Sequence, residues 1–253
     1  MDAQVISIDG KKMGSTALPN VFSERIRPEL IRRAVDAENS RRLQPQGHYP
    51  LAGMQTTATY YGAMHSYRTG RHMGVAIRPR EKLGGGAQGK VRRIPSSVTG
   101  KRAHPHVIEK RLIENINKKE YRLAVASAIA ATAQNRSPIV ASKEIDNIAK
   151  TKDMLHAIEL VCGAKLEPNK AKLRKGLRRS SRRRIYKKSV LVVIGQPSAA
   201  TRSAKNIAGV DACTINNLSV GLLAPGGSPR KMVIWSESAL KSLDGAIEKL
   251  EIR

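Results

Sequence analysis

The chain has 253 residues, with 46 lysines and arginines against 20 acidic residues, so its formal net charge is +26. Apolar residues make up 40% of the chain, enough to bury a core, which argues against full disorder and against a fibrous protein. The excess of positive charge indicates a polyanionic partner, and nucleic acid is the leading candidate. No apolar run reaches the roughly 20 residues of a membrane span, and no secretion signal is expected. The two cysteines, Cys162 and Cys213, predict a reducing compartment rather than a disulfide framework.

The first 40 residues predict one strand and one helix. Apolar and polar residues alternate over positions 1–8, which is typical of a short strand. Pro28 suits the first turn of a helix, because its missing amide proton has no partner there in any case. The apolar stripe of that helix consists of Leu30, Ile31, Ala34 and Val35.

Residues 41–106 form the first of two strongly basic segments. They hold twelve cations and one acid, Glu81, together with ten glycines and four of the six tyrosines. Their apolar residues follow neither a helix nor a strand period, so we expect residues 44–103 to be mobile in the free protein. Cations for phosphates, glycines for close approach and rings for stacking are typical of a segment that folds on RNA. A disordered, solvated loop is the alternative.

Two helices are predicted beyond this segment. Tyr121, Val125 and Ile129 recur at every fourth position in an alanine-rich stretch, which is a helical spacing. Thr151 is predicted to cap the next helix. The apolar stripe of that helix consists of Met154, Ile158 and Val161.

The last third of the chain predicts three strands and two helices. Val190–Ile194 is a continuous apolar run, which indicates a strand buried on both faces. Val210–Ile215 and Met232–Trp235 are the other strands, and residues 200–207 form a short helix between the first two. Ser236 is predicted to cap the final helix. The apolar face of that helix consists of Leu240, Leu243, Ile247 and Leu250.

Strands that alternate with helices predict an α/β domain with a parallel sheet. We assign residues 1–43 and 107–253 to this domain and residues 44–106 to a long extended basic loop inserted into it.

Residues 170–188 form the second basic segment, with eleven cations and no acid. The two segments together carry 22 of the 26 net charges. A clamp for RNA or DNA, a nuclear localisation signal and a solvated charged face are the alternatives, and mutual repulsion argues against the last. The candidate RNA-binding residues are Arg68, Arg71, Arg78, Arg80, Lys82, Lys90, Arg92, Arg93, Lys101 and Arg102 in the first segment, and Lys170, Lys172, Arg174, Lys175, Arg178, Arg179, Arg182, Arg183, Arg184, Lys187 and Lys188 in the second.

Two glycine-containing turns fail as cofactor sites. Gly84–Lys90 resembles a phosphate-binding loop, but no apolar strand precedes it and no serine or threonine follows Lys90. The turn after Ile194 lacks the glycine pattern of a dinucleotide site, and Pro197 removes a backbone amide that such a site needs. We therefore expect no cofactor.

Catalytic and metal-binding patterns are also missing from the sequence. His104 and His106 have no further ligand at a suitable spacing, so no metal is expected. Asp211 and Asp244 stand apart from other acids and bases, and no nucleophile motif occurs. The sequence predicts a protein that is not an enzyme.

Short motifs spread over almost the whole chain resemble one protein family. They are Thr69-Gly-Arg71, Val91–Pro95, Gly100–Pro105, Asn117–Glu120, Leu123–Thr132, Asn217–Val220 and Leu223–Gly227. In this order and spacing, they resemble ribosomal protein L four of the large subunit, in its archaeal and eukaryotic branch. The chain length favours the archaeal type.

This resemblance implies a Rossmann-like α/β domain that binds large-subunit ribosomal RNA early in assembly, in the cytoplasm. It also implies that the long loop runs through the RNA to the exit tunnel, beside ribosomal protein L twenty-two, other large-subunit proteins and the nascent peptide. The loop tip corresponds to residues 68–76, but His72, Met73 and Val75 depart from the glycine- and arginine-rich family pattern. The predicted tunnel residues are Gly70, Arg71, His72 and Met73.

Two other functions compete with this interpretation. An RNA-modifying enzyme with a Rossmann-like cofactor site lacks its glycines here. A DNA architectural protein is disfavoured because the basic loop, rich in glycine and tyrosine, does not predict a helix for the major groove.

Overall fold

The computed structural model of the chain describes residues 2–60, 74–84, 87–135, 137–163, 165–166, 172–173, 184–185, 188–230 and 232–250. The chain divides into two compact units, Met1–Arg42 with Ile113–Arg253, and Leu43–Leu112. In chain order the elements are β1 (Asp2–Ile6), β2 (Lys12–Ala17), α1 (Pro28–Arg41), β3 (Arg80–Lys82), β4 (Gln88–Val91), α2 (Lys118–Asn135), β5 (Ile139–Ala141), α3 (Thr151–Cys162), β6 (Lys172–Leu173), β7 (Arg184–Ile185), β8 (Val190–Ile194), α4 (Ala199–Lys205), β9 (Val210–Thr214), α5 (Val220–Leu223), β10 (Met232–Ser236) and α6 (Glu237–Ile247).

A six-stranded sheet organises the larger unit, in the order β2-β1-β5-β10-β8-β9. β1 and β2 pair antiparallel, and every other neighbouring pair is parallel. The last strand, β10, therefore inserts between β5 and β8. This arrangement confirms the mostly parallel α/β fold. The sequence pattern did not predict β2, because that strand is exposed along nearly its whole length and carries no buried apolar alternation.

Helices cover both faces of the sheet, and β8 contributes to both of the resulting cores. Leu191 and Val193 pack in the core that α1, α2 and α6 cover. Val190, Val192 and Ile194 pack in the other core, under α3 and α4. The strand is buried at all five positions, which confirms the prediction for this run.

The predicted helices are confirmed, although α6 ends at Ile247, before Leu250, and two predicted caps need correction. α1 begins at Pro28, as expected. Thr151 is the first residue of α3, whereas Lys150 occupies the cap position and makes no side-chain capping bond. Ser236 does occupy the cap position of α6, but its hydroxyl donates to Asp146 Oδ2 at 2.9 Å instead of accepting from the helix. A hydrogen bond from the hydroxyl to a carboxylate is stronger than one that the hydroxyl would accept from a neutral backbone amide of the helix.

The smaller unit contains regular structure that the sequence did not predict. β3 and β4 form an antiparallel hairpin, with Arg80 opposite Val91 and Lys82 opposite Gln88. Thr59 adds a bridge to Arg80 through two backbone hydrogen bonds of 3.3 Å. The apolar alternation that identifies a strand is missing, because polar and charged side chains occupy most of the hairpin.

A buried carboxylate, Glu38, joins three helices of the larger unit. Glu38 lies near the end of α1 and accepts a hydrogen bond from the Tyr121 hydroxyl of α2 at 2.8 Å. It also accepts from the backbone amides of Val220 and Gly221, at 2.8 and 2.9 Å, at the start of α5. Burial, and then the neighbouring Glu38, raise the pKa of Tyr121 well above its usual value, so its hydroxyl remains a donor. A Cβ at position 221 would lie 2.7 Å from Glu38 Oε2, which explains the glycine there.

Replacing Glu38 by alanine is expected to destabilise the larger unit by about 3 kcal/mol, because two buried donors and one partly buried donor lose their acceptor together. Urea unfolding followed by circular dichroism measures this change. The matched control is Asp36→Ala on the exposed face of the same helix, expected to change stability by less than about 0.5 kcal/mol. Equal effects of the two substitutions would contradict the assigned role of Glu38.

Candidate nucleic-acid interface

The structure describes only part of the predicted RNA-binding set. The side chains of Arg78, Arg80, Lys82, Lys90, Arg92, Arg93, Lys101, Arg102 and Lys188 are described. Lys172 and Arg184 are placed by their backbone in the paired strands β6 and β7. The remaining predicted residues lie outside the described residues: Arg68, Gly70, Arg71, His72, Met73, Lys170, Arg174, Lys175, Arg178, Arg179, Arg182, Arg183 and Lys187. The assignments of the loop tip and of most of the second segment therefore stay predictions.

Eight of the predicted cations gather on the β3–β4 hairpin and the turns next to it. Five of them are exposed: Arg78, Lys82, Lys90, Lys101 and Arg102. Glu81 is the acid in this stretch, and the Arg92 guanidinium already pairs with it. The five exposed cations outnumber this one acid, and their combined field favours a polyanion.

Arg92 has an internal role that the sequence did not indicate. Its Nε donates to Glu81 Oε1 at 2.8 Å. Its Nη1 donates to the Val98 carbonyl oxygen at 3.0 Å and to the Thr99 hydroxyl. The side chain is only 22% exposed. Arg92 therefore ties the turn that follows β4 back to β3, and a phosphate is not needed to satisfy these donors.

That turn, residues 93–101, closes on itself through the backbone. The Lys101 amide donates to the Arg93 carbonyl at 3.3 Å, and two tighter turns lie inside this closure. Arg93 and Thr99 adopt left-handed φ values of 69° and 62°, which residues with a Cβ rarely adopt. Such a conformation persists where surrounding contacts enforce it, and the Arg92 hydrogen bonds supply them here.

Most of the exposed apolar side chains lie in the same part of the protein. Among the described residues, thirteen large apolar side chains are exposed, and eleven of them fall between positions 43 and 113. Ten of the eleven belong to the smaller unit and one to the larger unit, so the smaller unit carries most of this exposed apolar surface. These residues are Leu43, Tyr49, Leu51, Tyr60, Val75, Ile77, Leu83, Val98, Val107, Ile108 and Ile113.

The end of the second basic segment is anchored on the sheet, where Asp211 is not isolated as the sequence suggested. Asp211 accepts from the Lys188 ammonium and, at 2.6 Å, from Nη2 of the buried Arg230. Arg230 also donates to the carbonyls of Leu222 and Lys188, at 2.6 and 3.2 Å. Burial alone would raise the pKa of Asp211, but the hydrogen bonds from Lys188 and Arg230 outweigh it and lower that pKa. Periodicity could not reveal this contact, because Lys188 precedes β8, Asp211 lies in β9 and Arg230 precedes β10.

The described part of the chain shows no group of three histidine, cysteine or acidic side chains that could hold a metal ion. Both cysteines are free and buried. Burial raises the pKa of Cys213 to about 12, so it remains a thiol. No helix within the described ranges is long and apolar enough to cross a membrane.

Comparison with known proteins identifies the family. A sequence profile described as the ribosomal protein L4/L1 family matches residues 16–246. The chain belongs to this family. It is 38% identical to large ribosomal subunit protein uL4 of Archaeoglobus fulgidus, covering 96% of this chain and 98% of the relative. It is 39% identical to the uL4 proteins of Methanococcoides burtonii and Methanospirillum hungatei, with 96% and 97% of this chain covered and 98% and 99% of those relatives.

Family membership confirms the resemblance seen in the motifs, including its archaeal character. The chain is a structural protein of the large ribosomal subunit and not an enzyme, and it lies in the cytoplasm with the ribosome.

Replacing Arg92 by alanine is expected to loosen the turn at residues 93–101, because Glu81, Val98 and Thr99 lose their shared partner. Amide hydrogen exchange at Gly100 and Lys101 should quicken roughly tenfold, the equivalent of one lost charged hydrogen bond. Lys90→Ala removes the same charge from an exposed neighbour and should leave this exchange unchanged. Unchanged exchange in the Arg92 variant would place Arg92 outside the support of the turn.

Proposed function

We propose that the protein binds large-subunit ribosomal RNA through its two basic segments during assembly, and that the tip of the first segment lines the nascent-peptide exit tunnel. The observation that carries the proposal is the group of five exposed cations around the β3–β4 hairpin, beside an acid that Arg92 already neutralises. Family membership supplies the context of the large subunit.

The two units support different parts of this function. The larger unit buries its own core on both faces of the sheet, so it can fold before it meets RNA. The second basic segment ends at Lys188, which the Arg230–Asp211 pair holds against that core. Cations in this segment contact phosphates and orient the protein, whereas the shape of the folded RNA determines which site is chosen.

The first segment supplies a different kind of contact. Its exposed cations lie among exposed apolar side chains, so phosphates and unstacked bases can be bound together. The tip, assigned to Gly70, Arg71, His72 and Met73, reaches the tunnel wall beside ribosomal protein L twenty-two and meets the nascent peptide. This assignment of the tip rests on the motif Thr69-Gly-Arg71 and its family context.

RNA affinity is expected to fall steeply with salt. If about ten phosphates are neutralised, the logarithm of the binding constant should fall against the logarithm of salt concentration with a slope of roughly −7. Filter binding of the protein to its ribosomal RNA measures this slope. Alanine at Arg178, Arg179, Arg182, Arg183 and Arg184 should make the slope shallower without loss of the circular-dichroism signal. A wild-type slope shallower than about −2 would show that the basic segments do not neutralise phosphates.

Removing the tip is expected to alter the passage of nascent chains and to leave RNA anchoring largely intact. The folded domain should keep its stability, because the entropic cost of closing a loop changes only slowly with loop length. A deletion of residues 68–75 is preferable to one that reaches Arg80, since Arg80 pairs with Val91 and Thr59 in the hairpin. Ribosomes that carry the variant can be compared with wild type for elongation arrest and for antibiotics that bind the tunnel. Wild-type behaviour after incorporation would place the tip elsewhere.

A further inference from the structure

A cleft of about 320 Å³ lies within the smaller unit, where the two ends of the basic segment run side by side. The His48 amide donates to the His106 carbonyl at 2.9 Å and joins the two ends. Deeper in the unit, a Cβ on Gly53 would collide with the carbonyl of Gly100, so the backbones are in direct contact there. The cleft is therefore framed by backbone that has little room to move.

The residues around this cleft combine an apolar wall with positive charge. Pro50, Pro105 and Ile108 line it with apolar surface, and His48 and His106 add two imidazole rings. Lys101 and Arg102, both exposed, lie at the same cleft with Glu109 as the acid among its lining residues. Apolar and ring surfaces beside exposed cations match the two halves of a nucleotide, a flat base and a phosphate.

Ile108 supplies exposed apolar surface in the wall of the cleft. Its side chain is 65% exposed although it is large and apolar. A Cβ on Gly47 would lie 2.8 Å from Ile108 Cγ1, so a larger residue at position 47 would clash with the isoleucine side chain. An exposed isoleucine held against a backbone glycine gains little in the free protein, but it offers a surface on which a base can pack.

We propose that this cleft holds one unstacked nucleotide of a single-stranded RNA, with the base against Ile108 and Pro105 and the phosphate near Lys101 and Arg102. The volume is at the low end of small-molecule pockets, which suits one nucleotide and excludes a duplex. A base in a duplex must first leave its stack before it can enter such a cleft. This inference rests on the proposed function, because it names the form in which RNA is bound at one site.

The test compares Ile108→Asp with Val98→Asp. Both residues are exposed apolar side chains of the same unit, 65% and 84% exposed, so neither change threatens folding and both change the net charge equally. The probes are a fluorescent oligouridylate, whose bases stack weakly, and an RNA duplex of the same length. Ile108→Asp should weaken oligouridylate binding at least fivefold more than Val98→Asp, because the base loses its apolar contact with the wall of the cleft. The two variants should bind the duplex equally.

A second pair of variants changes the shape of the cleft without changing charge. Gly47→Val places a Cβ 2.8 Å from Ile108 Cγ1 and must displace that side chain, whereas a Cβ at Gly84, in the same unit, meets no atom of the described residues within 4 Å. The Gly47 variant alone should lose oligouridylate affinity. In addition, 4-thiouridine in the oligonucleotide should crosslink to peptides from residues 47–52 or 104–109 of the wild-type protein.

The outcomes separate the cleft from the general RNA-binding function. Equal oligouridylate affinities within each pair, or crosslinks confined to other peptides, would overturn the nucleotide site while a steep salt dependence of ribosomal RNA binding still stands. A cleft that receives a protein segment instead would also give equal affinities within each pair. A shallow wild-type salt dependence would instead count against RNA binding as a whole.

Discussion

The carboxylate of Glu38 is the contact on which the arrangement of the larger unit depends. A charged group buried between helices is costly unless its hydrogen bonds are satisfied, and here a hydroxyl and two amides satisfy it. These donors come from residues 121, 220 and 221, far apart in the chain. Glu38 therefore links α1, α2 and the first turn of α5 through one group.

Positive charge is handled differently in the two basic segments. In the second, the buried Arg230 and the half-buried Asp211 hold Lys188 at the edge of the sheet, so the segment ends at a rigid point. In the first, Arg92 pairs with Glu81 and helps to shape a turn, while five neighbouring cations are exposed. For each segment one carboxylate, Glu81 or Asp211, holds a cation in position, and the other cations of the segment outnumber the acids. That distribution agrees with a protein whose partner supplies the remaining negative charge.

The comparison of sequence and structure shows where periodic patterns carry information. β8 and the stripe Tyr121, Val125 and Ile129 were predictable, because each has a buried face that must be apolar at a fixed spacing. β2 and the β3–β4 hairpin could not be predicted, because exposed strands are held by backbone hydrogen bonds that require no particular pattern of side chains. The Thr151 cap was wrong by one residue, which is the usual uncertainty of a helix end.

By itself, the sequence determined the fold class, the placement of 22 of the 26 net charges in two segments and the family resemblance. These properties depend on composition and on local spacing, which are read along the chain. Only the tertiary structure decided which charges serve inside the protein, because Arg92 with Glu81 and Lys188 with Asp211 meet across strands and turns. It also decided that the two ends of the first segment enclose a cleft. Such contacts depend on residues that are distant in sequence, and no periodicity records them.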